Sequence, residues 1–140
     1  MPHSSVPALA HRLRIVCMRV ARRVRYEAEN TIAPHLFSVL VRLSEQPRTV
    51  GELAQIEQVS APSMSRTVTQ LVDSGYVVRS PDEHDGRVVR LTLSDEGQER
   101  VRVERAHRDA WMTKRLEDLS AEDRELLRRA ADLIEALAAR

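Results

Sequence analysis

Residues 49–75 read TVGELAQIEQVSAPSMSRTVTQLVDSG, and this stretch decides the fold. Thr49 followed three residues later by Glu52 has the spacing of a capping box, which predicts the start of a short helix. Ser60 is an N-cap residue for a second helix, and Gly75 favours its end because glycine readily adopts the left-handed conformation found just past helices. The stretch therefore predicts a helix, a tight turn without glycine and a second helix, the arrangement called helix-turn-helix.

The second of these helices has one apolar and one polar face. Apolar residues recur at steps of three and four, which predicts a buried stripe, at Met64, Val68, Leu71 and Val72. The opposite face is small or polar and holds Ala61, Ser63, Ser65, Arg66, Thr69 and Gln70. A polar helical face of this width fits the major groove of B-DNA. We therefore interpret this helix as a recognition helix.

Several side chains of the recognition helix suit DNA chemistry. Arg66 can form two hydrogen bonds with guanine O6 and N7, and Gln70 can pair in the same way with adenine. The hydroxyls of Ser60, Ser63 and Ser65 lie near the helix start, where backbone N–H groups also attract phosphate. Ser60 has an alternative interpretation as a simple N-cap, which is compatible with a phosphate contact.

Beyond the helix-turn-helix, the apolar residues alternate instead of recurring at helical spacing. Residues 76–79 and 88–93 are rich in β-branched and apolar residues, which predicts two short strands. Residues 80–86 are dense in turn formers, so the strands are expected to pair as an antiparallel hairpin with an exposed tip, the wing. Arg87 at this narrow tip is predicted to enter a minor groove. Asp85 is predicted to brace Arg87, or another Arg, through a two-pronged ion pair.

Helices are also predicted on both sides of this module. They are expected over residues 8–29, from an N-cap at Thr31 to residue 46, from an N-cap at Ser94 to about residue 118, and from residue 119 to the end. In the helix after Ser94, the apolar positions are Val101, Val103, Ala106, Ala110, Trp111 and Leu116. The first and last helices carry apolar stripes wider than a core of this size can cover. We therefore expect these two helices to pack against a second copy of the chain.

The composition bounds the class of protein. The chain has 140 residues, of which 42% are hydrophobic, 31% charged and 3% aromatic, and this balance is typical of one helical domain. The lone Cys17 excludes an internal disulfide, and no stretch is long and apolar enough for a membrane span or signal peptide, so a cytoplasmic location is expected. No activated nucleophile, glycine-rich phosphate loop or metal-ligand spacing is present. We therefore expect no catalytic residues, no metal and no cofactor.

Five segments, in this order and spacing, are similar to the pattern of the MarR family (multiple antibiotic resistance regulators). They are TVGELA at 49–54, SAPSMSRTV at 60–68, LVDSGYV at 71–77, DEHDGR at 82–87 and LTLSDEG at 91–97. The resemblance implies a mainly α (α+β) fold, a winged helix-turn-helix with N- and C-terminal dimerisation helices. In these terms residues 1–140 form one domain, 31–93 the DNA-binding core, and 1–30 with 94–140 the helical dimerisation region.

The resemblance also implies a sequence-specific transcription regulator that binds double-stranded DNA as a homodimer on an inverted-repeat operator, with ligand-responsive repression as the default expectation. The expected DNA contacts are Ser60, Ala61, Pro62, Ser63, Ser65, Arg66, Thr69, Gln70, Asp85 and Arg87. The chain departs from the commoner family pattern at His84 and Gly86, where an additional Arg often stands. Its wing is therefore expected to bind DNA more weakly, or more strongly once His84 is protonated.

Members of the family typically respond to small aromatic or phenolic compounds, or to thiol oxidation. The side chains that we expect to border such an effector cleft are Arg14, Tyr26, His35, Phe37 and Trp111. Cys17 lies on the helix that carries the sensing thiol in the peroxide-responsive branch, so redox sensing is one alternative. A winged-helix adaptor that binds only other proteins is a second alternative. Salt distinguishes the adaptor, because only phosphate neutralisation makes affinity fall steeply with salt.

Overall fold

The computed structural model describes residues 5–140, so residues 1–4 of the expected dimerisation region lie outside the described residues. The described chain runs α1 (Val6–Glu27), α2 (Pro34–Glu45), α3 (Val50–Glu57), α4 (Ala61–Asp73), β1 (Val77–Pro81), β2 (Val89–Leu93), α5 (Asp95–Glu117) and α6 (Ala121–Ala138). This order confirms the predicted fold class. The element boundaries differ from the sequence-based ones by one to three residues, as expected for helix and strand ends.

The core lies beneath the helix-turn-helix formed by α3 and α4. It draws on every element from α2 to α5 through Leu36, Val39, Leu40, Leu43, Leu53, Ala54, Met64, Val68, Leu71, Val77, Leu91 and Val101. The predicted inward residues of α4 are therefore confirmed, except that Val72 is only half-buried. Because this face is anchored, the opposite face of α4 is held outward.

The turn between α3 and α4 is tight although it contains no glycine. Gln58 adopts the left-handed conformation, with φ 54° and ψ 45°. Its backbone N–H donates to the carbonyls of Ala54 and Gln55, which closes the end of α3. Ser60 then caps α4 by accepting a hydrogen bond from the backbone N–H of Ser63 at 3.2 Å. These hydrogen bonds offset a conformation that costs about 1–2 kcal/mol in a residue other than glycine.

The wing is an antiparallel hairpin, as predicted. β1 and β2 pair in a register that runs from Val77 opposite Leu93 to Pro81 opposite Val89. A third backbone segment also pairs with this hairpin, and it was not predicted. The backbone of Arg48, between α2 and α3, exchanges two hydrogen bonds with Leu91, at 3.2 and 2.8 Å. The middle of β2 is therefore hydrogen-bonded to the chain segment that precedes the helix-turn-helix.

The predicted helix start at Thr31 is wrong. α2 begins at Pro34, and its N-cap residue Ala33 makes no side-chain capping bond. Proline favours the first turn of a helix and holds the residue before it in extended backbone, so Pro34 sets the boundary. Thr31 instead donates both its backbone N–H and its hydroxyl to the carboxylate of Glu104 on α5.

The predicted apolar stripe of α5 is only partly buried. Val101 is buried, but Ala106 and Ala110 are exposed, while the charged Glu104 is completely buried. An ion pair of 3.5 Å to Arg108 and the two bonds from Thr31 compensate that carboxylate. A polar cluster thus joins α5 to the connection between α1 and α2. The spacing of hydrophobic residues in the sequence does not predict this cluster.

The first and last helices contribute nothing to the core of the described chain, since neither α1 nor α6 has a buried residue. Their apolar side chains are exposed, and they include Leu9, Leu13, Val16, Val20, Leu126, Leu127, Leu133, Ile134 and Leu137. Leu133, for example, is 69% exposed. Two apolar helical faces are therefore uncovered within one copy of the chain.

Gly97→Ala should destabilise the fold. In the first turn of α5, a Cβ at this position would collide with the backbone carbonyl of Tyr76, where the wing begins. Overpacking against backbone is expected to lower the free energy of unfolding by about 1–3 kcal/mol or more. Denaturant titration, with midpoint and slope compared with wild type, measures the loss.

Gly51→Ala is the matched control for Gly97→Ala. Gly51 lies in the first turn of α3, and its added Cβ would come no closer than 3.8 Å to Thr49 Oγ1. Alanine should stabilise this helical position by about 0.5–1 kcal/mol. A Gly97→Ala protein as stable as wild type would contradict the close approach of α5 to the wing.

Candidate nucleic-acid interface

The outward face of α4 is open to solvent along its length. Ala61, Ser65, Arg66, Thr69 and Gln70 are exposed, and Ser63 is half-buried. The guanidinium of Arg66 forms no ion pair or hydrogen bond with the residues described. Its donors are therefore available to a partner, as base recognition requires.

The start of α4 is arranged as an anion site would be. Ser60 Oγ accepts the backbone N–H of Ser63, so the capping interpretation of Ser60 is confirmed. Accepting that bond leaves the Ser60 hydroxyl proton free to be donated. Pro62 stands in the first turn, where its missing N–H removes no helical hydrogen bond. The backbone N–H of Ala61 and the hydroxyls of Ser60 and Ser63 thus lie together at the positive end of the helix dipole.

At the wing tip, the predicted brace between Asp85 and Arg87 is confirmed. Arg87 Nε lies 3.2 Å from Asp85 Oδ1, and Arg87 Nη2 lies 3.3 Å from Asp85 Oδ2. The backbone N–H of Arg87 also donates to Asp85 Oδ1 at 3.1 Å. These bonds from Arg87, its side chain first, lower the pKa of Asp85. The Arg87 side chain is 91% exposed, so the pair is braced but accessible.

A second ion-pair cluster in the wing was not predicted. Arg90 Nε donates to Asp82 Oδ1 at 2.8 Å, and Arg90 Nη1 donates to Glu52 Oε1 at 3.0 Å. Asp82 Oδ2 also accepts the backbone N–H groups of His84 and Asp85, both at 3.0 Å. The bond from Arg90, followed by the backbone bond from His84, lowers the pKa of Asp82. This cluster fixes the turn of the wing and ties it to the first turn of α3.

Part of this cluster had a sequence signal. An Asp whose side chain binds the backbone two or three residues later is a common turn device, and Asp82 stands in the stretch predicted to turn. The link from Arg90 to Glu52 had no such signal. Those residues are far apart in the chain, and only the folded arrangement of α3 and β2 brings them together.

The predicted effector residues do not surround one cavity. Phe37 lines an open, largely apolar groove of about 770 Å³ between α1, α2, α5 and α6. Trp111 lines a separate cavity of about 360 Å³. Arg14, Tyr26 and His35 line neither of these cavities and are exposed.

The three arginines that line the apolar groove were not predicted from the sequence, and they are Arg25, Arg42 and Arg108. Arg108 lines it, with its guanidinium carbon 3.7 Å from the centre of the Phe37 ring. Burial lowers the pKa of this guanidinium, against the opposing charge of Glu104. Cys17 lines the same groove and is exposed. Arg42 lies there too, and its Nε is 3.4 Å from Glu57 Oε1 at the end of α3.

The described residues contain neither a metal-binding cluster nor a membrane-spanning helix. Between residues 5 and 140, no three His, Cys, Asp or Glu side chains are placed to hold a metal ion. No helix in that part of the chain combines the length and the apolar character needed to cross a membrane.

Comparisons with known proteins agree on one family. The model of the MarR family matches residues 34–88. An uncharacterised HTH-type transcriptional regulator of Mycobacterium leprae is 39% identical over 128 residues, which cover 90% of each chain. An HTH-type transcriptional regulator of Mycobacterium tuberculosis is 39% identical over 133 residues, or 92% of each chain. The structure of a MarR family protein from Bacillus stearothermophilus gives a TM-score of 0.77 at 26% identity, covering 100% of this chain and 99% of that one.

Asp82→Asn should loosen the wing, because it removes the charge that holds Arg90. The pKa of Asp82 is lowered in the folded protein. Its stabilisation is therefore complete above the ordinary carboxyl pKa and is lost as the pH falls through the lowered value. The difference in unfolding free energy between wild type and variant should be largest at neutral pH and should shrink below about pH 4. Chemical denaturation across that range measures it.

Asp109→Asn controls for removing a carboxylate elsewhere. Asp109 is exposed on α5 and forms no salt bridge within residues 5–140. Its substitution should leave stability nearly unchanged at every pH. If the Asp82→Asn difference were the same at acid and neutral pH, the charge of Asp82 would have no part in holding the wing.

Proposed function

The chain belongs to the MarR family of helix-turn-helix transcription regulators, and from that premise we propose that it binds an inverted-repeat operator as a homodimer and represses transcription until an effector releases it. In this proposal α4 lies in the major groove and the wing enters the adjacent minor groove. Residues 31–93 form the DNA-binding core, and 1–30 with 94–140 form the dimerisation region.

The observation that carries the proposal is the outward face of α4. Its apolar side is anchored in the core, while its exposed side presents hydroxyls, an amide and the unpaired guanidinium of Arg66. Arg66 is assigned to guanine and Gln70 to adenine, because their paired donors and acceptors match those base edges. The other assigned contacts on this helix are Ser60, Ala61, Pro62, Ser63, Ser65 and Thr69.

The wing is assigned to the minor groove through Arg87. A narrow minor groove concentrates negative potential and attracts a guanidinium. Asp85 keeps Arg87 oriented, but it also offsets part of the positive charge at the tip. Arg87 is therefore assigned a positioning contact rather than base selection.

Homodimerisation is supported by the two uncovered apolar faces on α1 and α6. Apolar surface of this extent is rarely left exposed in a monomer. A two-fold dimer joined through these faces would present two copies of α4 to successive major grooves, about 34–36 Å apart. An isologous interface also explains why the apolar residues lie on the terminal helices and not around the helix-turn-helix.

The apolar groove lined by Phe37 and Arg108 is the proposed effector site. Its walls suit an aromatic or phenolic body, and the Arg108 guanidinium suits an acidic substituent. The groove is also connected to the DNA-binding core, since Ser38 and Arg42 on its wall both bond to Glu57 on α3, at 2.6 and 3.4 Å. A ligand that engages this wall would therefore bias the position of α3.

DNA duplexes selected by the protein from a randomised library provide the test of function. Affinity for the selected duplex should fall with salt by about 0.9 log units per log unit for each phosphate neutralised. Arg66→Ala should cost about 1–3 kcal/mol on that duplex and relax base preference at one position of each half-site. Arg87→Ala should weaken binding to selected and unselected duplexes alike. An affinity that does not depend on salt, or no enrichment of any sequence, would refute the proposed function and favour the adaptor.

Leu133→Glu should dissociate the proposed dimer. A carboxylate placed at this exposed apolar position would be buried without a partner, and the penalty for that is several kcal/mol. The dimer dissociation constant should therefore rise by at least about 100-fold. Sedimentation equilibrium measures this constant, and operator affinity should fall with it.

Asp132→Lys is the control for Leu133→Glu. At about 100° per residue, Asp132 lies about 100° or more around α6 from every exposed apolar residue named on that helix, and its side chain is 71% exposed. This variant should remain dimeric. A Leu133→Glu protein that stayed dimeric under the same conditions would exclude this face of α6 from the interface.

A further inference from the structure

We propose that Arg79, on β1 and outside the helix-turn-helix, contacts a backbone phosphate at the edge of the major groove occupied by α4. The inference rests on the proposed DNA-binding function and extends it to a residue that neither the recognition helix nor the wing tip contains. Four features of the structure support it: the face of the sheet on which Arg79 lies, its contact with α4, its lack of a counter-ion and its unused donors.

Arg79 lies at the edge of the core, on the face of β1 that is turned toward that core. Side chains alternate between the two faces of a strand, so Arg79 lies on the same face as Val77. Val77 is buried, and Arg79 pairs in register with Leu91, which is also buried. The face of the hairpin that carries the buried Val77 and Leu91 therefore also carries Arg79, whose side chain is exposed. Its side chain extends along the wing toward α4.

The guanidinium reaches the DNA-facing surface of α4. Arg79 Nη2 donates a hydrogen bond to Thr69 Oγ1 at 3.1 Å. Thr69 shares one row of α4 with Ala61 and Ser65, because residues four apart lie on the same side of a helix. All three are exposed and belong to the proposed contact surface. A positive charge from the wing therefore lies beside the C-terminal half of the recognition helix.

Arg79 differs from the other two arginines of the hairpin in its charge balance. Arg87 is paired with Asp85, and Arg90 is paired with Asp82 and Glu52. Arg79 forms no salt bridge within the described part of the chain. Its positive charge is therefore not offset by any carboxylate of the described residues.

The remaining donors of Arg79 suit a phosphate better than a base. A guanidinium has five N–H donors, and one of them is used on Thr69. The bond to Thr69 anchors one end of the guanidinium at the surface of α4, and the other donors have no partner among the described residues. Arg79 extends from the strand beside α4, and phosphates line the edges of the groove that such a helix enters. A phosphate there would accept two parallel hydrogen bonds.

The test compares Arg79→Ala, Arg79→Lys and Lys114→Ala on the duplex selected by the wild-type protein, over a series of salt concentrations. Lys114→Ala removes the same charge from α5 at a point about 25 Å along the helix from Gly97, where α5 meets the wing. Circular dichroism and the oligomeric state of each variant establish that the fold is retained, which is expected because Arg79 is exposed.

Arg79→Ala is expected to lower affinity about tenfold or more and to reduce the salt slope by about 0.9 per protomer. The base preference of the selected site should not change. Arg79→Lys should keep the slope but recover only part of the affinity, because an ammonium lacks the two-pronged geometry. Thr69→Val should lower affinity with the slope retained, since it removes the group that orients the guanidinium. Lys114→Ala should change neither quantity.

Two results would overturn the assignment while leaving the proposed function intact. The first is an Arg79→Ala protein with wild-type affinity and salt slope. The second is a protein that keeps the slope but loses preference at one base pair, which would make Arg79 a base-reading residue. A wild-type protein that binds no duplex would instead refute the proposed function, and the role of Arg79 with it.

Discussion

The burial of one face of α4 is the constraint on which the rest of the structure depends. Met64, Val68 and Leu71 are almost completely buried in a cluster that includes Leu53 and Leu91. Burying each such side chain contributes about 1.5–3 kcal/mol, so the three together rival the net stability of a small domain, about 5–15 kcal/mol. No surface ion pair of the wing compares with this, because exposed pairs contribute about 0–1 kcal/mol. The polar face of α4 is therefore presented to solvent at little cost, and its side chains are free to serve recognition.

Charge is distributed unevenly between the wing and the outward face of α4. The wing carries several acids, which would repel a phosphate backbone if they were unpaired. Asp82 and Asp85 are each engaged by an arginine and by backbone N–H groups, so their charge is used to shape the turn. The same pairing reduces the net positive charge that Arg87 and Arg90 can present to DNA. In the wing and α4, the arginine charges that no described carboxylate offsets are therefore those of Arg66 and Arg79, which lie on and beside α4.

The reading surface and the terminal helices are connected through α5. At its first turn, Gly97 packs against the start of the wing so closely that a side chain would not fit. Seven residues later along the same helix, Glu104 accepts a hydrogen bond from Thr31 in the connection between α1 and α2, and Arg108 pairs with the same carboxylate. A buried carboxylate is tolerated here because every partner it needs is present. α5 therefore contacts both the start of the wing and the connection between α1 and α2, and the proposed regulation would act through this helix.

Local chemistry in the sequence determined the helix-turn-helix, its buried stripe, the hairpin and the brace between Asp85 and Arg87, because each depends on residues a few positions apart. It also indicated that the terminal helices have more apolar surface than one chain can cover. Tertiary structure alone decided the features that join distant segments: the bond between Arg79 and Thr69, the link from Arg90 to Glu52, and the burial of Glu104. Helical period and capping signals describe one segment at a time. Partners tens of residues apart meet only when packing sets the distance and orientation between elements, and no local pattern specifies that.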